Sequence, residues 1–236
     1  MSVLVVTGTG SGVGKTVVVA ALAALALRRG SSVAVVKPAQ TGACPGEVGD
    51  VDRVIELSGV TTTFETRRFS EPLSPAAAAR VSGAAPVSLL DVGRLVRELA
   101  ESSRLVVVEG TGGVLERFDE DGGTVADLAR ALGAQVLVVV GVGRGAVNQA
   151  ALTLEALAHR GVEPVGVVIG RWPAEPGVAE RSCVADLEML AARPLAGVLP
   201  DGAGELGREE FAEVAHDGLG AMLGGGFDPA GFRAAL

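Results

Sequence analysis

The feature that most constrains this chain is the alternation of short apolar segments with longer helical patterns. Six of these segments are rich in valine and leucine, and none of them carries a polar residue at every second position. Such segments are typical of strands that are buried on both faces of a parallel sheet. With helices between them, they predict a doubly wound, mainly parallel α/β sheet with helices on both faces. The predicted strands are 3–6, 32–36, 105–108, 136–140, 165–169 and 195–199.

The length of 236 residues fits one α/β domain, which can reach about 250 residues. We therefore predict a single domain over 1–223. Three consecutive glycines then open a tail, 224–236, which we expect to be weakly docked or to form a short helix. Helices are predicted over 15–29, 88–101, 124–132, 146–160, 178–191 and 208–222, with a short helix within 70–87 and a glycine-rich loop over 41–50.

The composition argues against several functions. The net charge of −8 has the wrong sign for a protein that binds the phosphate backbone of nucleic acids. Aromatic residues make up only 3% of the chain, which argues against base stacking. The two cysteines, Cys44 and Cys183, have no metal-binding spacing and favour a reducing compartment. No segment has the pattern of a signal peptide or membrane span, so we expect a cytoplasmic protein that contacts neither nucleic acid nor membranes.

A glycine-rich segment, TGTGSGVGKT at 7–16, connects the first predicted strand to the first helix. It resembles a P-loop, although Gly8 lies one residue further from Gly14 than in the common pattern. Backbone N–H groups of such a loop can surround phosphates at the positive end of the helix. Lys15 would contact the β- and γ-phosphates, and the Thr16 hydroxyl would bind Mg²⁺. The alternative is a glycine-rich turn that binds nothing.

Charged residues also follow the second and third predicted strands. Lys37 ends one of these strands and Glu109 the other. Ligands of an open parallel sheet bind at the carboxyl ends of its strands, so both side chains are predicted to face the P-loop. The alternatives are a surface lysine and an edge carboxylate bonded to backbone N–H groups. Asp50, with Asp52 nearby, could reach a metal held by Thr16, or it could be a helix N-cap.

Two lysines, a hydroxyl and two carboxylates around phosphate groups fit phosphoryl transfer, in which positioning and charge stabilisation dominate catalysis. His159 and His216 fall in predicted helices and are expected to be solvated or structural. Trp172 follows a predicted strand and either packs or contacts the edge of a base.

The sequence contains four distinctive blocks, namely TGTGSGVGKT at 7–16, KPAQTG at 37–42, EGTGG at 109–113 and NQAALTLEAL at 148–157. Together these blocks resemble the dethiobiotin synthetase family. They occur in the family's order, and the similarity extends to about residue 200. The resemblance implies a P-loop NTPase-like ligase that converts 7,8-diaminopelargonic acid and CO₂ or bicarbonate into dethiobiotin, with ATP as co-substrate and Mg²⁺ as cofactor. It also implies a carbamate, a carbamic-phosphoric anhydride, and a homodimer with the substrate site at the interface.

The resemblance also implies roles for individual residues. Lys37 and Lys15 would be catalytic, and Thr41 would contact the diamine or carbamate. The implied metal ligands are Thr16, Asp50 and Glu109. The residues implied for the nucleotide are Gly12, Val13, Gly14, Lys15, Thr16, Val17, Asp50, Glu109, Gly110, Thr111, Gly112, Gly170, Arg171, Pro200, Asp201 and Gly202. The residues implied to hold the remote carboxylate of a substrate in the partner subunit are Gly145, Ala146, Val147 and Asn148.

The chain departs from the family at several positions. Some members carry acidic residues where Gly10 and Gly12 stand here, and many have a histidine in place of Gln149. Thr111 replaces an alanine. Some members also contact adenine through an asparagine, where this chain has Gly-Arg-Trp at 170–172. We therefore expect weak discrimination between ATP and other nucleoside triphosphates.

Three other functions are alternatives to this interpretation. A ParA- or MinD-like switch ATPase would carry a lysine early in the P-loop, and residues 9–11 contain none. A cobyrinate-type amide synthetase would need a glutaminase domain, for which we expect no room in 236 residues. A pure nucleotide-binding module is the third. Product formation from the diamine distinguishes all of these functions.

Overall fold

The computed structural model describes residues 2–236, which form nine strands and nine α-helices. No helix in this range is long and apolar enough to cross a membrane. The strands are β1 (Ser2–Gly8), β2 (Val33–Lys37), β3 (Gln40–Thr41), β4 (Thr62–Glu65), β5 (Arg68–Phe69), β6 (Leu105–Glu109), β7 (Gln135–Val140), β8 (Pro164–Trp172) and β9 (Gly197–Pro200). The helices are α1 (Lys15–Arg28), α2 (Asp50–Ser58), α3 (Pro75–Ser82), α4 (Leu89–Ser102), α5 (Val125–Leu132), α6 (Ala146–Ala158), α7 (Val178–Ala191), α8 (Arg208–Gly218) and α9 (Pro229–Ala234).

Seven strands form one sheet in the order β4-β2-β6-β1-β7-β8-β9, and every pairing in it is parallel. The predicted doubly wound α/β fold is therefore confirmed. All six predicted strands are present in this sheet. Its seventh strand, β4, and the separate parallel pair of β3 and β5 were not predicted.

Two apolar cores cover the two faces of the sheet. One contains α1 with residues of α2 and α8, and the other contains residues of α3 to α7. Neighbouring strand residues point to opposite cores, as Val5 and Val6 of β1 do. Because both faces are covered, a polar residue at every second position would be buried without a partner. This explains the valine-rich strands from which the fold was predicted.

Two helices differ from the prediction by more than two residues. The helix predicted over 208–222 ends at Gly218, and a 3₁₀ turn over Ala221–Leu223 follows it. Gly218 packs against the backbone of Val198 so closely that a β-carbon would lie 2.7 Å from the Val198 carbonyl oxygen. Helix α2 was not predicted, and Asp50 is its first residue.

The tail over 224–236 contains α9. The Phe232 ring packs edge-to-face against Trp172, with 5.2 Å between the ring centroids. Arg233 Nη1 donates to both carboxylate oxygens of Glu188 at 2.8 Å. Trp172 therefore packs against the tail.

Candidate active site

A cleft of about 410 Å³ opens at the carboxyl end of the sheet, between the P-loop, the ends of β2, β6 and β8, and the segment after β9. Both lysines of the chain, Lys15 and Lys37, line it. The other predicted residues in its walls are Gly12, Gly14, Thr16, Val17, Thr41, Asp50, Glu109, Thr111, Gly112, Gly170, Arg171, Pro200, Asp201 and Gly202. The walls also contain residues for which no role was predicted, namely Ser11, Gln40, Ala203, Gly204 and Glu205.

The P-loop presents a free helix N-terminus to this cleft. Gly14 precedes α1 with a φ of 96°, a left-handed conformation that favours glycine, and no side chain caps the helix there. The first N–H groups of α1 are therefore available to an anion. The Lys15 side chain extends back across the loop, and its Nζ donates to the Gly10 carbonyl oxygen at 2.7 Å.

Close packing against β8 holds the P-loop in place. A β-carbon on Gly14 would lie 2.5 Å from the Gly170 carbonyl oxygen, and one on Gly170 would overlap the Val13 carbonyl oxygen. Neither position has space for a side chain. Val13 is thus a backbone packing partner of β8 and does not itself line the cleft.

Replacing Gly170 with alanine is expected to push the P-loop away from β8. Overpacking of this kind costs about 1–3 kcal/mol of folding free energy. If a similar energy is lost from the phosphate contacts, ATP affinity falls about tenfold. Isothermal titration calorimetry and thermal unfolding measure both effects. Gly93→Ala is the matched control, because its methyl group would meet only ordinary van der Waals contacts with the side chains of Arg97 and Leu128. Equal ATP affinity of Gly170→Ala and wild type would contradict the claim that close packing against β8 holds the P-loop in position.

A compact cluster of charges lies beside the P-loop. Lys37 Nζ is 2.6 Å from Asp50 Oδ2 and 2.8 Å from Glu109 Oε1. The same Glu109 oxygen accepts a hydrogen bond from the Thr16 hydroxyl at 2.8 Å. Lys37 and Glu109 are each only 2% exposed, whereas the Asp50 side chain is 34% exposed. The predicted lysine, hydroxyl and carboxylates therefore meet at one place.

Burial and mutual contact shift the pKa of each member of this cluster. Burial alone would lower the pKa of Lys37, but the carboxylates of Glu109 and Asp50 together raise it. Burial raises the pKa of Glu109, and the Lys37 ammonium only partly offsets this. Although burial alone would raise the pKa of Asp50, the Lys37 ammonium holds it below its usual range. Burial, followed by the charge of Lys37, lowers the pKa of Lys15 to about 8. Shifts of this kind cluster at functional sites.

The start of α2 separates the roles of its two aspartates. Gly49, rather than Asp50, is the N-cap. The Asp52 carboxylate accepts a hydrogen bond from the Gly49 N–H at 2.7 Å, so Asp52 serves the helix start. Asp50 points the other way, onto Lys37. The structure therefore brings Asp50, and not Asp52, into the cleft.

The oxygen atoms of Thr16, Asp50 and Glu109 suit Mg²⁺. This ion prefers hard oxygen ligands, and it is usually bound through one or two carboxylates together with the phosphates of a substrate. Within residues 2–236, no three His, Cys, Asp or Glu side chains form a metal-binding group of their own. The donor set of this cleft therefore fits a magnesium ion that arrives with a nucleotide.

Several other predicted residues have structural contacts in the walls. Thr111 donates through Oγ1 to the Ala39 carbonyl oxygen at 2.6 Å, which ties β6 to the segment after β2. Arg171 Nε donates to Asp201 Oδ1 at 2.8 Å, and its Nη1 donates to the Gly12 carbonyl oxygen at 3.3 Å. Arg171 thus crosses the cleft mouth from β8 to the P-loop.

Besides Val13, five of the predicted residues do not line this cleft. Gly110 lies in the backbone behind it, where a β-carbon would be 3.3 Å from the Val125 side chain. The other four begin α6, where Gly145 has a φ of 84° and no side chain caps the helix. These four are Gly145, Ala146, Val147 and Asn148.

Sequence comparisons identify close relatives over the full length. An ATP-dependent dethiobiotin synthetase BioD of Frankia casuarinae is 59% identical over 234 residues, covering 99% of this chain and 98% of that protein. Its namesake in Saccharopolyspora erythraea is 54% identical over 225 residues, covering 95% of this chain and 98% of the relative. The namesake in Streptomyces avermitilis is 49% identical over 236 residues, covering 100% of this chain and 99% of the relative. Residues 2–204 also match a family described as AAA domain.

Solved structures share the fold at low sequence identity. The MinC:MinD cell division protein complex of Aquifex aeolicus matches with a TM-score of 0.56 and 15% identity, covering 85% of this chain and 82% of that one. The signal recognition particle 54 kDa protein of Aeropyrum pernix, in complex with GDP, matches with a TM-score of 0.51 and 18% identity. The match covers 84% of this chain and 41% of that one. These likenesses establish a P-loop NTPase-like fold and nothing finer.

Proposed function

The chain belongs to the dethiobiotin synthetase family and is an ATP-dependent ligase of biotin biosynthesis, and we propose that it joins 7,8-diaminopelargonic acid, CO₂ and ATP into dethiobiotin, ADP and phosphate. The observation that carries the proposal is the position of Lys37, which is buried between two carboxylates beside a P-loop. A cation there can neutralise charge on both a carbamate and a transferring phosphoryl group.

The proposed reaction has three steps. One amine of the diamine attacks CO₂ and becomes a carbamate, losing a proton. A carbamate oxygen then attacks the γ-phosphorus of ATP, and ADP leaves. The second amine attacks the carbonyl carbon of the resulting anhydride and loses a proton, which closes the ureido ring and expels phosphate with the carbon–oxygen bonding pair. ATP is required because the unphosphorylated carbamate oxygen is a poor leaving group.

The P-loop supplies the nucleotide contacts in this proposal. The free N–H groups at the start of α1 and the Lys15 ammonium would hold the β- and γ-phosphates. Thr16, Asp50 and Glu109 would hold Mg²⁺, which when bound neutralises charge on the phosphate oxygens. Lys37, whose Nζ lies beside both carboxylates, would donate to the reacting oxygens of the carbamate and of the phosphoryl group.

The diamine site is proposed to involve two copies of the chain. Thr41 lines the cleft and would contact the reacting end of the substrate. The substrate's remote carboxylate would be bound by the start of α6 of the partner subunit. Uncapped N–H groups at that helix start suit a carboxylate. Support comes from exposed Leu115 and Leu152, which lie with Gln149 around a second cleft beside α6.

The switch-ATPase alternative has no support beyond the shared fold. The MinD likeness is at 15% identity, whereas the dethiobiotin synthetases are similar over the full chain at 59% and 54% identity. A MinD-like switch would hydrolyse ATP without consuming a diamine.

Mass spectrometry of the complete reaction tests the proposed function. Purified protein is incubated with diaminopelargonic acid, bicarbonate, Mg²⁺ and ATP, and each component is omitted in turn. Dethiobiotin is expected only in the complete mixture. If ATP binds but no dethiobiotin forms, the proposed substrate is wrong and the fold assignment is unaffected.

Weak discrimination between nucleobases is a further expectation for this site. Asparagine and glutamine pair with adenine through one donor and one acceptor, which gives about 1–3 kcal/mol of discrimination. The stretch of the cleft proposed for the base contains Gly170, Arg171 and Pro200, and the Arg171 guanidinium is already bonded to Asp201. Calorimetric affinities for ATP, CTP and GTP are therefore expected to differ by less than about a hundredfold. A preference for ATP larger than that would contradict the expectation.

A further inference from the structure

The N-cap of helix α2 has no side chain that could accept from the first N–H groups of the helix. Its N-cap is Gly49, so the first helical N–H, that of Asp50, needs an acceptor from elsewhere. Gln40 of β3 supplies it, because its Oε1 accepts from the Asp50 N–H at 2.8 Å. Gln40 is only 7% exposed and lines the cleft. A side chain from another element thus caps the helix that carries a proposed metal ligand.

The other end of the same amide is also bonded. Gln40 Nε2 donates to the Thr41 carbonyl oxygen at 3.1 Å. A primary amide provides both a donor and an acceptor, whereas a carboxylate would place a second acceptor against that carbonyl. The orientation of the Gln40 side chain is therefore fixed from both sides.

These two bonds connect Gln40 to the charged cluster. The backbone N–H of Asp50 donates to Gln40, and the carboxylate of the same residue lies 2.6 Å from Lys37 Nζ. We propose that Gln40 is a positioning residue that aims the Asp50 carboxylate into the cleft and so sets the affinity for the divalent cation. The inference rests on the proposed metal site. Partners that orient ligands in this way typically contribute a factor of about 10–100 in metal affinity.

The loop before α2 has a second, independent attachment. Arg68 Nη1 donates to the Glu47 carbonyl oxygen at 2.6 Å and to the Cys44 carbonyl oxygen at 3.3 Å. Arg68 Nε also donates to Glu65 Oε1 at 2.7 Å. Loss of the Gln40 amide should therefore leave the loop in place and change only the start of α2.

Manganese binding to the full chain tests this proposal without turnover. Mn²⁺ is titrated into protein saturated with ADP and followed by electron paramagnetic resonance, and ADP affinity without metal is measured in parallel. The test variants are Gln40→Met, which keeps the shape, and Gln40→Asn, which is too short to hold both partners. Gln40→Glu keeps an acceptor for the Asp50 N–H. Gln135→Met is the matched control, since Gln135 is exposed at the opposite end of the sheet.

We expect Gln40→Met and Gln40→Asn to weaken Mn²⁺ binding about tenfold, with metal-free ADP affinity unchanged and a smaller loss in Gln40→Glu. Mn²⁺ affinities within twofold of wild type in whichever of the first two variants folds would overturn the proposal. A loss of metal-free ADP affinity as large as the loss of Mn²⁺ affinity would also overturn the proposal, because it would indicate a general structural role for Gln40. A wild type that binds Mn²⁺ and ADP but forms no dethiobiotin would count against the proposed function alone.

Discussion

Replacing Lys37 with alanine is expected to lower kcat for dethiobiotin formation by about 10²–10³-fold, the usual cost of removing one group that stabilises developing charge. Nucleotide affinity should change little, because the proposed phosphate contacts come from Lys15 and the N–H groups of α1 rather than from Lys37. Quantifying dethiobiotin by mass spectrometry at saturating substrates gives kcat, and calorimetry with ADP gives the affinity. An unchanged kcat would remove Lys37 from the mechanism.

The same substitution should destabilise the metal-free protein. Glu109 is 2% exposed and would lose the cation that lies 2.8 Å from it. Removing one partner of a buried pair costs about 3–5 kcal/mol, and protonation of Glu109 would reduce that cost. Thermal unfolding should therefore show a lower Tm without ligands and recovery with Mg²⁺ and ADP. Arg53→Ala is the control, because it breaks an exposed pair with Glu56 and should change neither Tm nor kcat by much.

Replacing Glu109 with glutamine is expected to raise the Mg²⁺ concentration for half-maximal activity by about a hundredfold, the upper part of the range for a disturbed metal site. The thermal stability of the fold should not decrease. The amide oxygen of glutamine can still accept from Lys37 Nζ and from the Thr16 hydroxyl, which both contact Glu109 Oε1 at 2.8 Å. Lys37 also keeps Asp50 as its partner. Removal of a buried charge then leaves Tm unchanged or raises it.

A higher Mg²⁺ requirement without a loss of Tm distinguishes a metal ligand from a structural carboxylate. The matched control is Glu98→Gln, which changes an exposed glutamate of α4 and should alter neither quantity. A Glu109→Gln variant that loses Tm while its Mg²⁺ requirement stays the same would mean that Glu109 serves only to neutralise Lys37.

The strands and the P-loop could be predicted because each depends on local chemistry. A parallel sheet covered on both faces demands valine-rich segments, and a phosphate loop demands glycines before a lysine. The sequence of helix α2 also carries a helical signal. Val51, Val54 and Leu57 recur at helical spacing, and Gly59 follows with a φ of 78°, typical of a helix end. Strands β3 and β5 have two residues each, too few for any periodicity.

The distinction between Asp50 and Asp52 could not be made from spacing. Two residues at the start of a helix point in different directions, and which one faces Lys37 depends on the packing of α2 against β2. Gln40 was missed for a similar reason. Its partner at Asp50 is ten residues away, across a loop whose path is set by Arg68. Tertiary contacts of this kind leave no periodic signal in the sequence.

The most direct test of the proposed chemistry is the fate of oxygen from bicarbonate. Wild-type protein is given ¹⁸O-labelled bicarbonate, diaminopelargonic acid, Mg²⁺ and ATP, and the phosphate and dethiobiotin formed at early times are analysed by mass spectrometry. If a carbamate oxygen attacks the γ-phosphorus, each phosphate carries one oxygen from bicarbonate, at the enrichment found in the ureido carbonyl of dethiobiotin. Phosphate without label beside labelled dethiobiotin would mean that water takes the phosphoryl group, and would contradict the carbamic-phosphoric anhydride.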